Sequence, residues 1–184
     1  MKRDEFFNLV NDAIAPDFRK PAESGYIVHQ EIHHDGRTSC FRLNASAACV
    51  AFSMDVRGKE PVAILNAGKI RCRNDLTVIC LDEAGNPLAF LFEHKNSPNI
   101  GDAQFQIECG QAFCEYLFRL LELQYPQIPK PRFFGIAVYR LKFPQKGTTR
   151  PNFTPIGNRG LNRAYWDMNI DLPLTELIRA TAKI

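Results

Sequence analysis

Residues 74–95 read NDLTVICLDEAGNPLAFLFEHK. Leu76 to Leu81 is short, apolar and rich in β-branched residues, which suits a strand buried on both faces. Asp82-Glu83-Ala84-Gly85-Asn86 is turn chemistry, because Gly and Asn accept positive φ. Pro87 opens a second apolar run, Leu88 to Phe92, and proline is tolerated at the first position of a strand. A hairpin folded at Ala84-Gly85 sets Leu81 against Pro87, Ile79 against Ala89, Thr77 against Leu91 and Asp75 against Glu93. Directly opposed Cβ atoms stand roughly 4.5–5.5 Å apart, so two carboxylates meet at the open end of the hairpin. Lys95 falls on the face of Glu93, since side chains alternate along a strand.

Two anions this close repel unless a proton or cation lies between them. Mg²⁺, or Mn²⁺, is the natural guest, because it takes carboxylate oxygens and keeps several waters. The carbonyl of His94 is a further candidate ligand, with its ring directed to the other face. Lys95 is placed to steady an attacking water or the charge developing on a phosphate. The chemistry this predicts is metal-assisted hydrolysis of a phosphoryl group.

Asp75 followed eighteen residues later by Glu93-His94-Lys95 resembles the signature of the PD-(D/E)XK nucleases, the restriction-endonuclease-like superfamily. The resemblance covers roughly residues 60 to 140. It implies that Asp75 and Glu93 bind a divalent metal and that Lys95 is catalytic. It also implies a helix after Lys95 that packs on the sheet and often carries Gln or Tyr toward the site; Gly101 to Leu123 is the candidate. Asn74 stands where the family name has proline. The extra acidic residue that many members carry on an early helix is not evident.

The chain has 184 residues, and a single domain of that length buries about 70% of its unfolded surface. Its formal charge of +3 is too small to argue for nucleic acid alone, so the distribution of charge matters more. The sequence contains no apolar run of membrane-spanning length. MKRDEFF at the amino terminus lacks a signal-peptide core, so an intracellular place, cytoplasmic or nuclear, is expected. The six cysteines form no Cys-x-x-Cys pair and read as small buried hydrophobes. A zinc site assembled from scattered Cys and His is a weaker alternative.

Residues 1–25 read as an N-terminal helix and connector. Phe6, Leu9, Val10, Ala13 and Ile14 form one helical stripe, with Asp4 as candidate cap. Residues 26–43 form a polar hairpin around Asp35-Gly36. Its histidines, His29, His33 and His34, invite a metal reading against the blander one of solvated side chains. Glu31 is the best local candidate for a third metal carboxylate. Ala45 to Val56 suits either a buried strand or a short packed helix. Pro61 to Leu65 reads as a strand, and Lys69 to Arg73 brings basic residues beside the site.

The helix after Lys95 carries a polar stripe from which Gln104, Glu108 or Gln111 could touch substrate or bound water, or simply be solvated. Phe105, Phe113, Tyr116, Leu117, Leu120 and Leu121 are expected mostly inward. Phe133 to Phe143 reads as a strand beside the hairpin. Residues 142–166 read as a basic loop with Lys142, Lys146, Arg150, Arg159 and Arg163. Phe153, Tyr165 and Trp166 supply aromatic faces there, a combination suited to a phosphate backbone and unstacked bases. Asp171 to Ile184 closes the chain as a helix.

These readings converge on an α/β (α+β) domain with a mixed central sheet flanked by helices. The expected activity is a divalent-metal-dependent nuclease, with DNA favoured over RNA by analogy. The rival is a nuclease-like binding module without catalysis, acting on nucleic acid or on a protein partner. Either is compatible with a homodimer.

Overall fold

A computed structural model of the chain describes residues 1–32, 38–60, 72–95, 100–139, 151–156, 161–182 and 184. The Asp35-Gly36 turn, His33, His34, the strand expected at Pro61–Leu65, and Lys142, Lys146, Arg150 and Arg159 lie outside these residues.

The hairpin at residues 74–95 forms in the expected register. β4 (Leu76–Leu81) and β5 (Pro87–Lys95) pair antiparallel, with Leu81 on Pro87, Ile79 on Ala89 and Thr77 on Leu91. Asp82 organises the turn: its Oδ1 accepts from the backbone N–H of Ala84 at 3.0 Å and of Asn86 at 2.8 Å. Gly85 takes a φ of 86°, in the left-handed region that a side chain at this position would strain.

Around this hairpin a mixed six-stranded sheet assembles in the order β3-β4-β5-β6-β8-β7. β3 (Cys49–Phe52) joins antiparallel to β4, which resolves the Ala45–Val56 ambiguity in favour of a strand. β6 (Arg132–Tyr139) runs parallel to β5, and β8 (Leu161–Asp167) parallel to β6. β7 (Thr154–Ile156) closes the far edge antiparallel to β8.

The stretch 142–166, expected to be a basic loop, therefore holds two strands. Phe153 and Trp166 are buried, and the Trp166 indole N–H donates to the carbonyl of Ile170 at 2.8 Å. Neither ring is available as a stacking face. The physical reason is non-local: polar, aromatic Leu161–Asp167 becomes a strand by pairing with β6, a partner distant in sequence.

Each face of the sheet has its own core. On one face lie α1 (Arg3–Ala13) and α2 (Ile100–Gln124), contributing Phe6, Val10, Ile107 and Phe118 against Ile79 and Leu91. On the other lie a second sheet and α3 (Leu174–Thr181), contributing Phe41, Leu43 and Leu177 against Phe90, Phe92 and Phe134. That second sheet pairs β1 (Tyr26–Ile32) antiparallel with β2 (Thr38–Asn44), and β2 parallel with the short β9 (Leu172–Pro173). The hairpin read as polar thus turns Ile27, Phe41 and Leu43 into the core.

α1 starts earlier than expected, and Lys2 rather than Asp4 occupies the cap position. The backbone N–H of Lys2 donates to the Glu5 carboxylate at 3.3 Å, while Asp4 sits in the first turn, where acids favour the helix dipole. On α2 the inward residues are Ile107, Cys114, Leu117, Phe118 and Leu121. Phe105, Tyr116 and Leu120, expected mostly inward, are exposed, as is Leu123. Two glycines set this rotation. A Cβ on Gly135 of β6 would lie 2.6 Å from Ile107 Cγ2, and one on Gly110 of α2 would lie 2.1 Å from Asn74 Oδ1. Among the described residues no helix is long and apolar enough to cross a membrane.

Candidate active site at the open end of the hairpin

The parallel strands β5, β6 and β8 all end at the edge of the sheet where β4 begins. In open α/β sheets, ligands bind outside the carboxyl ends of the strands. Asp75, Glu93 and Lys95 come together at this edge.

Asp75 stands one residue outside the ladder. Its backbone N–H donates to the Phe92 carbonyl at 3.1 Å, and it does not form a ladder pair with the expected Glu93. Its Oδ2 instead accepts from the backbone N–H of His94 at 2.6 Å. Asn74 braces this strand end. Its amide, fully buried, donates to the Leu76 carbonyl at 2.7 Å and to Thr77 Oγ1 at 3.0 Å. Gly110 supplies the space for it, so the residue where the family name has proline is a buried link between the strand end and α2.

Glu93 is 1% exposed, and its Oε1 lies 2.6 Å from Lys95 Nζ. Glu93 Oε2 is buried and makes no hydrogen bond. Lys95 also donates to Gln106 Oε1, while Gln106 Nε2 donates to the Arg73 carbonyl at 3.1 Å. Burial is the main cause of the acid shifts at this edge. It pushes Asp75 up to about 7, assisted by the Glu31 charge and opposed by the His94 N–H. Burial and then the Asp75 charge push Glu93 up to about 9 against the pull of Lys95. Burial at this edge thus favours the protonated form of each carboxyl more than solvent would.

His94 turns its ring to the other face, as strand alternation requires. There it meets the rings of His29 and Phe41, each with centroid at 5.8 Å. Its Nδ1 lies 3.8 Å from Glu31 Oε2. His29 Nε2 lies 4.0 Å from Asp75 Oδ1, and burial together with His94 lowers its pKa to about 4. Glu31 therefore reaches the centre from the hairpin side, as an exposed group at its mouth.

The polar residues of α2 divide. Gln104 donates to Glu108 Oε1 at 2.9 Å and accepts from Arg163 Nη1 at 3.2 Å. Gln111 donates to Glu115 Oε1 at 2.8 Å and is buried rather than solvated. The helix residue that touches Lys95 is Gln106, which lay outside the expected polar stripe. A signal for it existed: Gln106 borders the inward row Ala103, Ile107, Gly110 and Cys114, at helical spacing of three and four. Of the five expected nucleic-acid-binding cations, Arg163 alone falls within the described residues.

Among the described residues no three His, Cys, Asp or Glu side chains converge as a preformed metal-ligand group. All six cysteines are free; Cys80 and Cys114 are buried, while Cys40 is exposed, contrary to expectation. A hard divalent ion nevertheless fits the Asp75–Glu93 pair. Both are oxygen donors, their charges repel, and Glu93 Oε2 lacks a partner that a cation would supply. No protein-family model, curated protein or solved structure matches this chain.

Proposed function

We propose that this protein is a divalent-metal-dependent nuclease of the restriction-endonuclease-like kind, hydrolysing phosphodiester bonds with DNA favoured over RNA. The observation that carries the reading is Glu93 Oε2, buried without a hydrogen bond on the strand face that presents Lys95, at the sheet edge where Asp75 also lies. The mixed sheet, with the helix after Lys95 packed on that face, supports it. Asp75 and Glu93 would hold Mg²⁺ or Mn²⁺, which when bound polarises a phosphoryl oxygen and lowers the pKa of bound water. Lys95, bridging Glu93 and Gln106, holds its ammonium where charge develops on the phosphate. Gln106 orients Lys95, and Asn74 orients Asp75.

The test is incubation of plasmid, single-stranded DNA and RNA with the purified protein, with Mg²⁺, Mn²⁺ or chelator. Cleavage is expected only with metal. Asp75→Asn or Glu93→Gln should remove several kcal/mol of charge stabilisation, on the order of a thousandfold in rate. Full activity of Asp75→Asn would refute the assignment.

A second reading, a non-catalytic binding module, draws on a separate observation. Phe105, Tyr116, Leu120 and Leu123 leave an apolar stripe of α2 exposed, which suits a protein partner. The same incubation separates the two: absence of cleavage with every metal and substrate favours the module.

A further inference from the structure

Beside the carboxylates, on the same face of the sheet, stand two tyrosines that the proposed chemistry does not use. In the parallel register Lys95 pairs with Tyr139, and Glu93 pairs with Ala137, which pairs in turn with Tyr165. Strands are spaced about 4.8 Å apart, so the Tyr165 Cα lies roughly 10 Å from that of Glu93. The two phenol rings meet edge to face, centroids 5.7 Å apart and planes at 74°. Arg163 is half-buried; its guanidinium carbon sits 5.0 Å from the Tyr165 ring centroid, and Nη1 donates to Gln104. Tyr165 nonetheless remains 36% exposed. The edge strand β7 pairs only with Leu161, Asn162 and Arg163, so it stops short of Tyr165.

A ring propped by a cation and a second ring, and left open, is a rigid surface with little side-chain entropy to lose on contact. Its chemistry matches an unstacked nucleobase: stacking on aromatic rings is tolerant of sequence, with Arg adding a cation–π contribution. A base inside a duplex presents only its edge in a groove and keeps its faces stacked. The separation from Glu93 is a span that the sugar-phosphate chain of one or two nucleotides covers.

We infer that Tyr165 and Tyr139, backed by Arg163, form a subsite for an unpaired base next to the scissile phosphodiester, so that the substrate enters as a single strand or a locally opened duplex. This rests on the nuclease reading for the identity of the edge. Tyr165 is then a specificity-determining residue, and Arg163 acts through the ring instead of as a free phosphate clamp.

Binding in chelator separates the subsite from the chemistry. The probes are a DNA oligonucleotide carrying 2-aminopurine, as single strand and as blunt duplex, with the full chain. The single strand should bind more tightly, with 2-aminopurine fluorescence quenched. Tyr165→Ala should weaken single-strand binding by roughly 5- to 150-fold, the worth of stacking one base, and remove the quenching. Tyr165→Phe should retain both, and duplex binding should not change. Because Tyr165 is exposed, Tyr165→Ala is expected to melt near the wild type; if it does not, the Tyr165→Phe result and wild-type quenching decide. Equal binding of strand and duplex, an absent quench, or a single-strand affinity unmoved by Tyr165→Ala would overturn the subsite. Quenching lost in Tyr165→Ala without any metal-dependent cleavage by wild type would leave the subsite standing and sink the nuclease reading. Cleavage with no preference for unpaired DNA would do the reverse.

Discussion

The two faces of the end of β5 bury ionisable groups in opposite ways. On the α2 face, Glu93 lies 2.6 Å from Lys95, which Gln106 also contacts, and Glu93 feels the Asp75 charge. On the hairpin face, His94 and His29 sit among Phe41 and Phe92, and His29 is held neutral by burial. The α2 face is docked through glycines that permit close approach; the hairpin face is filled by rings. One face holds a carboxyl and an ammonium in contact, the other packs imidazoles among aromatic rings. Asp75 stands at the strand end between them, taking the His94 N–H and lying near His29.

Substitutions on the two faces should therefore fail differently. Phe41→Ala empties a ring stacked on Phe92 at 5.5 Å and should cost about 3–5 kcal/mol of stability, leaving the response to metal intact. Gly110→Ala should cost less, about 1–3 kcal/mol, as overpacking against Asn74. It should also shift Asp75 and weaken the metal response, and Asn74→Ala in the same chain should recover part of the stability. Denaturant melts with and without Mn²⁺ check both. A metal response lost in Phe41→Ala and kept in Gly110→Ala would invert the comparison.

A smaller effect separates the faces by pH. Asp75 and Glu93 have folded pKa values of about 7 and about 9, above those of free carboxyls. Their contribution to stability is full below about pH 4 and is lost as pH rises through those values. His29 has a folded pKa of about 4, below that of free histidine. Its contribution is present above about pH 6.5 and is lost as pH falls through 4. In chelator, Glu93→Gln should flatten the alkaline limb of the melting profile, and His29→Phe should flatten the acid limb. Identical profiles for both variants would mean that the two faces do not titrate separately.

The sequence carried the hairpin well because its information is local. Alternation, the Asp82–Asn86 turn and Pro87 specify one register, and that register brings Asp75, Glu93 and Lys95 to a common edge. β8 was illegible for the converse reason: Leu161–Asp167 is polar and becomes a strand only against β6. Gln106 was missed because the polar stripe of α2 does not determine its rotation. Gly110 and Gly135 do, through contacts with Asn74 and Ile107 on other elements. The packing of His29 against His94 depends likewise on two sheets meeting, which no periodicity within the hairpin encodes.

In the proposed chemistry a divalent cation binds Asp75 and Glu93 in place of the protons that burial favours there. The direct measurement is titration of the metal-free protein with Mn²⁺ at pH 6 and pH 8, read by calorimetry and by melting temperature. One site is expected, tighter at pH 8 because the carboxyls have then released more of their proton. At a hundredfold excess over Kd the stabilisation should be about 2.7 kcal/mol. For a chain of this size that raises the melting temperature by on the order of 2–4 °C per kcal/mol. Glu93→Gln should melt at or above the metal-free wild type and ignore Mn²⁺. No heat and no shift at millimolar Mn²⁺, or an equal response from Glu93→Gln, would rule out a metal centre at Asp75 and Glu93.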